Sequence, residues 1–380
     1  MTRTWDIFCS VVDNFGDIGV CWRLARQLSS ELRLSVRLWV DDLAGFHRLC
    51  REVDPARISQ LLGGVEIKRW DKSFAPIEPA EIAIEGFGVH LPDSYIEAMV
   101  ERQPHPVWIN LEYLSAERWV EGCHGLPSPH PTLPLVKYFF FPGFTSATGG
   151  LLMESGLSAA RNAFQDDPAA IATFWRSLNL ERLDHKALRV SLFCYDNAPL
   201  PALVKAWSSA SLPVACIVPE GRVLAQLSRI AGRSIAVGTS ITQGRLVIAA
   251  VPFLELDQYD RLLWACDLNF VRGEDSFVRA QLAARPLVWQ AYPQEGGAHL
   301  LKISAFLERY TDALEPVAGV PLRAFYEAWN QESADIGGRW DALRMQLEIL
   351  ATHARHWAAD LARGGNLAVK LAEFCENRLK

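Results

Sequence analysis

Apolar and polar positions along the chain switch between two periods. Residues 5–12 form a short apolar run with aromatic and β-branched side chains and predict a buried strand. Asp13-Asn14-Phe15-Gly16-Asp17-Ile18-Gly19 is turn chemistry. From 20 to 32, Val20, Leu24, Leu28 and Leu32 recur on one helical face. Residues 35–40 predict a second strand, so a βαβ unit with a parallel sheet opens the chain. Short strands are predicted at 81–85 and 107–111. Pro127, Pro129, Pro131, Pro134 and Pro142 predict a stiff, irregular stretch over 123–144. Residues 157–183 predict helix, with Phe174 and Trp175 as anchors.

The alternation then restarts. Strands are predicted at 188–194, 214–218, 246–251, 268–271 and 286–292. Helices are predicted at 201–209, 222–230 and 258–266, with others opening near Asp275 and His299. Residues 331–380 read as helical, with Trp329, Trp340 and Trp357 packing. This is a second doubly wound α/β unit, joined to the first near 175–187, and the expectation is two facing domains with a cleft between them. Ligands in such sheets bind beyond the carboxyl ends of the strands, so the loops there are the candidates for chemistry.

Composition narrows the class. With 380 residues and about 150 per domain, two domains are expected. A chain that is 50% hydrophobic and 22% charged is not largely disordered. The net charge of −6 argues against a general nucleic-acid binder, but leaves room for a local basic site or a basic protein partner. Eight cysteines without a C-x-x-C pair read as buried, reduced thiols. The first residues lack a signal-peptide pattern, and no run of about 18 apolar residues exists to span a membrane. A cytoplasmic protein is expected.

Three constellations could carry chemistry. The loop 13–19 follows the first strand but is not G-x-G-x-x-G. Asp13 and Asp17 would repel a phosphate, and suit a cationic or hydroxyl-bearing acceptor instead. The plain alternative is that Asp17 caps the helix and that Asn14 and Gly16 make a turn. The second constellation is Arg272-Gly273-Glu274-Asp275-Ser276, where a strand delivers an arginine into a helix start, a natural anion site. Its plain alternative is an acidic first turn favoured by the helix dipole. The third is aromatic: Phe193, Tyr195, Phe253 and Tyr292 all end strands, and a nucleobase could stack there. No D-x-D is present, and His353, His356, Cys123, His124 and His130 read as non-ligands, so no metal site and no cofactor are expected. Neither G-x-S-x-G nor a P-loop occurs.

The loop 13–19 together with the run from Arg272 to Gln281, R-G-E-D-S-F-V-R-A-Q, resembles the bacterial elongation factor P arginine rhamnosyltransferases. The resemblance runs over essentially the whole chain in motif order and spacing. It implies an α/β GT-B glycosyltransferase, with an acceptor domain at 1–180, a nucleotide-sugar domain at 181–360 and a helix at 361–380 packing back on the first. It implies inverting, metal-independent transfer of L-rhamnose from dTDP-β-L-rhamnose to an arginine of elongation factor P, in support of polyproline translation. By the same resemblance Asp13, Asp17 and Glu274 are catalytic, Asp17 as general base. Asp13, Asn14, Asp17 and Glu274 hold the acceptor. Phe193, Tyr195, Phe253, Arg272, Asp275, Ser276 and Tyr292 hold the donor. Leu256 stands where the family implies a glutamine facing thymine, which leaves Gln258 or backbone groups for that contact. The acidic loop by itself also fits a small-molecule glycosyltransferase or epimerase, or a non-catalytic protein-binding module.

Overall fold

The computed structural model describes residues 3–11, 15–71 and 74–379, so Asp13 and Asn14 lie outside the described residues. The chain divides into two compact units, Met1–Ser155 with Leu361–Lys380, and Gly156–Asp360.

Among the described residues the first unit is built on an eight-stranded sheet. Its strands are β1 (Thr4–Cys9), β2 (Ser35–Val40), β3 (Ser59–Leu62), β4 (Val65–Arg69), β5 (Ile82–Gly86), β6 (Val107–Leu111), β7 (Pro127–Pro129) and β8 (Val136–Phe140). The order is β3-β4-β2-β1-β5-β6-β8-β7, parallel except for the two edge strands. From β1 the chain builds outward through β2 and β4, then returns to the other side of β1 through β5. The topological switch therefore falls between β1 and β5, where ligands of such sheets bind. Phe8, Trp39, Tyr95 and Trp108 pack one face.

The second unit repeats the plan with β9 (Leu188–Leu192), β10 (Val214–Pro219), β11 (Ser240–Gln243), β12 (Leu246–Val251), β13 (Leu268–Arg272) and β14 (Leu287–Gln290). Their order is β11-β12-β10-β9-β13-β14, with only β11 antiparallel. Here the switch lies between β9 and β13. With their parallel crossovers and buried central strands, both sheets show the α/β pattern expected from sequence.

Several expectations change. The stretch 123–144 is not irregular: it holds β7 and β8. Pro127 and Pro129 sit on the sheet's edge strand, where a missing N–H costs no ladder bond, and Gly125 N–H and Phe139 N–H still bridge across. The 157–183 helix is two, Leu157–Gln165 and Pro168–Ser177. Asp167 accepts from the N–H groups of Ala169 and Ala170 and starts the second, with Pro168 in its first turn. Both helices belong to the second unit, because Phe164, Phe174 and Trp175 pack with Ala215, Ile217 and Leu262. The boundary thus falls near 155 rather than 180. Residues 331–380 hold three helices with breaks, Ile336–Arg344, Leu347–Arg363 and Leu367–Glu376. The last belongs to the first unit: Lys370 Nζ donates to Thr148 O at 3.0 Å, Asn366 donates to Met153 O, and the Phe374 ring lies 5.4 Å from that of Phe140.

Candidate functional site

In the first unit β1 ends at Cys9, three residues earlier than its pattern predicts, and a helix starts at Gly16 rather than 20. The loop between them is tied at its start. Val11 N–H donates to Asp41 Oδ1 at 2.9 Å, Ser10 Oγ donates to the same carboxylate, and Trp70 Nε1 donates to Cys9 O at 3.0 Å. Its far end carries Phe15, with the Arg48 guanidinium 5.2 Å from the ring centre. Asp17 stands in the first turn of the helix and is 4% exposed. The N-cap position is Phe15, so Asp17 does not hold the capping place that sequence allowed. A first-turn carboxylate is favoured by the helix dipole.

Two neighbours on β5 shape this edge, and sequence reading missed both. A Cβ on Gly86 would meet Cys21 Sγ at 2.9 Å and Phe8 O at 3.0 Å, so only glycine lets the Asp17 helix lie this close to the switch point. Glu85 is 2% exposed. It accepts from Lys137 Nζ at 2.8 Å and from Leu91 N–H at 3.2 Å, pinning the loop after β5 beside β1. The signal was present as one acid closing an apolar strand, I-A-I-E-G.

The second unit brings most of the donor candidates together. Arg272 ends β13, and its guanidinium carbon lies 4.4 Å from the Phe193 ring centre and 4.5 Å from that of Tyr195. A cation lying against two aromatic rings gains quadrupole attraction and loses freedom to swing. Tyr292, past the end of β14 and well exposed, meets Tyr195 edge-on at 5.4 Å. Phe193, Tyr195 and Arg272 stand at the β9–β13 switch, with Tyr292 just beyond on the β14 side. Phe253 follows β12, farther along the same carboxyl edge.

The turn after Arg272 is closed from below. Gly273 takes φ +60°, a left-handed conformation suited to glycine. Ser276 Oγ accepts from Arg272 N–H at 3.2 Å and donates to Arg272 O, so its hydroxyl braces the turn. Glu274 occupies the N-cap position of the helix Asp275–Leu282 without a capping side-chain bond and is half-buried. Asp275 lies in the first helical turn and is buried. Beneath, Arg279 clasps Asp260 through bonds of 3.0 and 2.6 Å, both side chains almost wholly buried. This fixes the helix to its neighbour Leu256–Ala265.

Burial pushes the Tyr259 hydroxyl well above its usual range, and the charge of Asp275 adds to the rise. Its ring lies 6.0 Å from Phe193. Cys194, between Phe193 and Tyr195, is pushed up to about 12 by burial and is no nucleophile. All eight cysteines are free thiols, seven of them buried. Leu256, at the expected glutamine position, is a buried helix-opening residue, while Gln258 is exposed. Among the described residues no group of three or more His, Cys, Asp or Glu gathers around a metal-sized space, and no helix is long and apolar enough to cross a membrane.

Comparison with known proteins gives a consistent answer. Residues 5–376 match the family described as Elongation-Factor P (EF-P) rhamnosyltransferase EarP. A protein-arginine rhamnosyltransferase of Pseudomonas putida is 48% identical over 380 residues, covering all of both chains. The structure described as the basis for EarP-mediated arginine glycosylation of translation elongation factor EF-P is 37% identical, with a TM-score of 0.71 over 99% of each chain. The spinosyn rhamnosyltransferase SpnG, solved with thymidine diphosphate, shares the GT-B fold at 10% identity and TM-score 0.52, over 98% of this chain and 99% of its own.

Proposed function

The chain belongs to the family of elongation factor P rhamnosyltransferases, and from that membership we propose that it moves L-rhamnose from dTDP-β-L-rhamnose to an arginine side chain of elongation factor P, with inversion at the anomeric carbon. The observation that carries the donor half is Arg272 lying against Phe193 and Tyr195 at the β9–β13 switch. Aromatic rings suit a nucleotide-sugar, and a fixed guanidinium suits a diphosphate.

The chemistry follows from charge. An arginine acceptor is cationic, with a pKa above about 12, and is a poor nucleophile while protonated. Asp13, Asp17 and Glu274 attract and orient it through charge-assisted hydrogen bonds. A carboxylate of ordinary pKa near 4 cannot hold a neutral guanidine in advance. The proton therefore passes to Asp17 as the C–N bond forms and the nitrogen grows acidic. The nitrogen attacks the face of C1 opposite the leaving group, so the β-donor gives α-rhamnosyl-arginine. The departing dTDP oxygen gains negative charge, which Arg272 and the N–H groups opening the helix at Asp275 stabilise. A factor that serves translation places this activity in the cytoplasm.

The test is intact-mass analysis of elongation factor P after incubation with this protein and dTDP-rhamnose. A gain of a single deoxyhexose, mapped to arginine, is expected. An unmodified factor alongside label appearing on a free glycan would overturn the acceptor assignment.

A further inference from the structure

β14 supplies a residue that touches no candidate substrate position yet reaches the donor edge. Gln290 is 1% exposed and lies in register with Arg272 on the neighbouring strand. Its amide is used at both ends. Oε1 accepts from Tyr195 N–H at 2.8 Å, and Nε2 donates to Asn197 Oδ1 at 3.1 Å. Asn197 Nδ2 in turn donates to Glu332 at 2.8 Å. The preceding residue works on the other flank: Trp289 Nε1 donates to Gly273 O at 2.9 Å while its ring stacks on Phe277 at 3.9 Å. One strand end thus braces both loops that meet around Arg272.

We infer that Gln290 is a positioning residue for the nucleotide-sugar donor, acting by holding the Tyr195 backbone so that the Phe193 and Tyr195 rings keep the Arg272 guanidinium aimed at the diphosphate. This rests on the donor reading above. The physical ground is that a buried primary amide with both ends satisfied fixes a loop as backbone ladder bonds fix a strand. An apolar residue there would pack equally well but leave the loop after β9 free to shift. Pre-organisation of the cation is what the ligand would otherwise supply on binding.

The experiment is calorimetric titration of thymidine diphosphate into the full chain and four variants: Gln290→Met, Asn197→Ala, Arg272→Ala and Gln290→Met with Arg272→Ala. Gln290→Met, near-isosteric, is expected to weaken binding about fivefold, the size of one lost hydrogen bond. Combined with Arg272→Ala, it is expected to add almost nothing, because the group it positions is gone. Half-buried Asn197→Ala, which leaves the core intact, is expected to show a smaller loss and keeps the test open if Gln290→Met folds poorly. An equal fold-loss with and without Arg272, or no loss with either single variant, overturns the positioning role while leaving the donor reading in place. Undiminished binding by Arg272→Ala instead overturns the donor reading, and this inference with it.

Discussion

Asp6, in the middle of β1, is the sharpest test of which acids in this chain are structural. It is wholly buried and surrounded by donors. Arg37 reaches it with Nε and Nη2, each at 2.6 Å, Trp39 Nε1 at 2.8 Å and Ala80 N–H at 3.1 Å, and the Tyr95 hydroxyl also donates to it. Desolvation is the largest single influence on Arg37 and opposes its charge, yet the hydrogen bonds and charge of Asp6 with neighbouring acidic groups still raise its pKa. Burial first and the Asp6 carboxylate second drive that of Tyr95 well up. Removing one partner of a buried ion pair costs about 3–5 kcal/mol. Because Arg37 keeps 24% of its side-chain surface and can turn toward water, the lower end applies, roughly 3 kcal/mol for Asp6→Ala. At roughly 2–4 °C per kcal/mol for a unit of this size, the first unit should melt about 6–12 °C lower.

Asp6→Asn should fare little better. Its amide would turn an NH2 group toward Arg37, Trp39 and Ala80, which only donate, and would leave the Tyr95 hydroxyl as the one partner there able to accept. Scanning calorimetry with hydrogen exchange at the β1 and β2 amides measures the loss, and turnover at 20 °C or so, well below the transition, should stay near the parent value. An Asp6→Asn protein melting within about 2 °C of the parent would refute the reasoning, since surroundings of mostly obligate donors, the Arg37 guanidinium among them, do not take a neutral amide at so small a cost.

Asp17→Asn should show the reverse, with thymidine diphosphate binding kept and turnover down by orders of magnitude in a discontinuous transfer assay; near-normal turnover would reduce Asp17 to a helix-stabilising role. Turnover should survive EDTA, because Arg272 and helix N–H groups are assigned the leaving-group charge; its abolition by chelation, with restoration by added metal, would refute that assignment. Stability should fall on mild acidification: burial is the main cause lowering the pKa of His124 in the first unit and His353 in the second, so each binds its proton less readily folded than unfolded. Such groups contribute stability that is full above the unfolded value near 6.5 and is lost as pH falls below it toward the depressed folded value. Urea midpoints measured between pH 7.5 and 5 for the parent and for His124→Gln should converge as pH falls; parallel curves would exclude His124 as a contributor.

How far the sequence discloses this molecule depends on the range of the interactions involved. β1, β2, β5, β6, β9, β10 and β12 to β14 are legible because parallel strands buried on both faces read as continuous apolar runs, whereas β11, an exposed antiparallel edge strand, is not. β8 is obscured by the prolines around it, since residue type reports local backbone freedom and says nothing of an edge position where proline costs no bond. Arg272, Phe193 and Tyr195 are legible as strand-end residues, but their mutual contact is not, because 79 positions separate Arg272 from Phe193 and only the β9–β13 pairing brings them together. Gln290 is least legible of all. It is an ordinary polar residue at the end of L-V-W-Q, and its role exists only through Tyr195 and Asn197, which the crossover order places beside it. Residues that meet substrate carry distinctive chemistry and announce themselves. Residues that hold them carry ordinary chemistry in a particular place, and that place is a property of topology. Polar side chains closing apolar strands at or beside a switch point, as Glu85 does on β5 and Gln290 on β14 next to β13, are therefore where sequence and topology together can find the supporting shell.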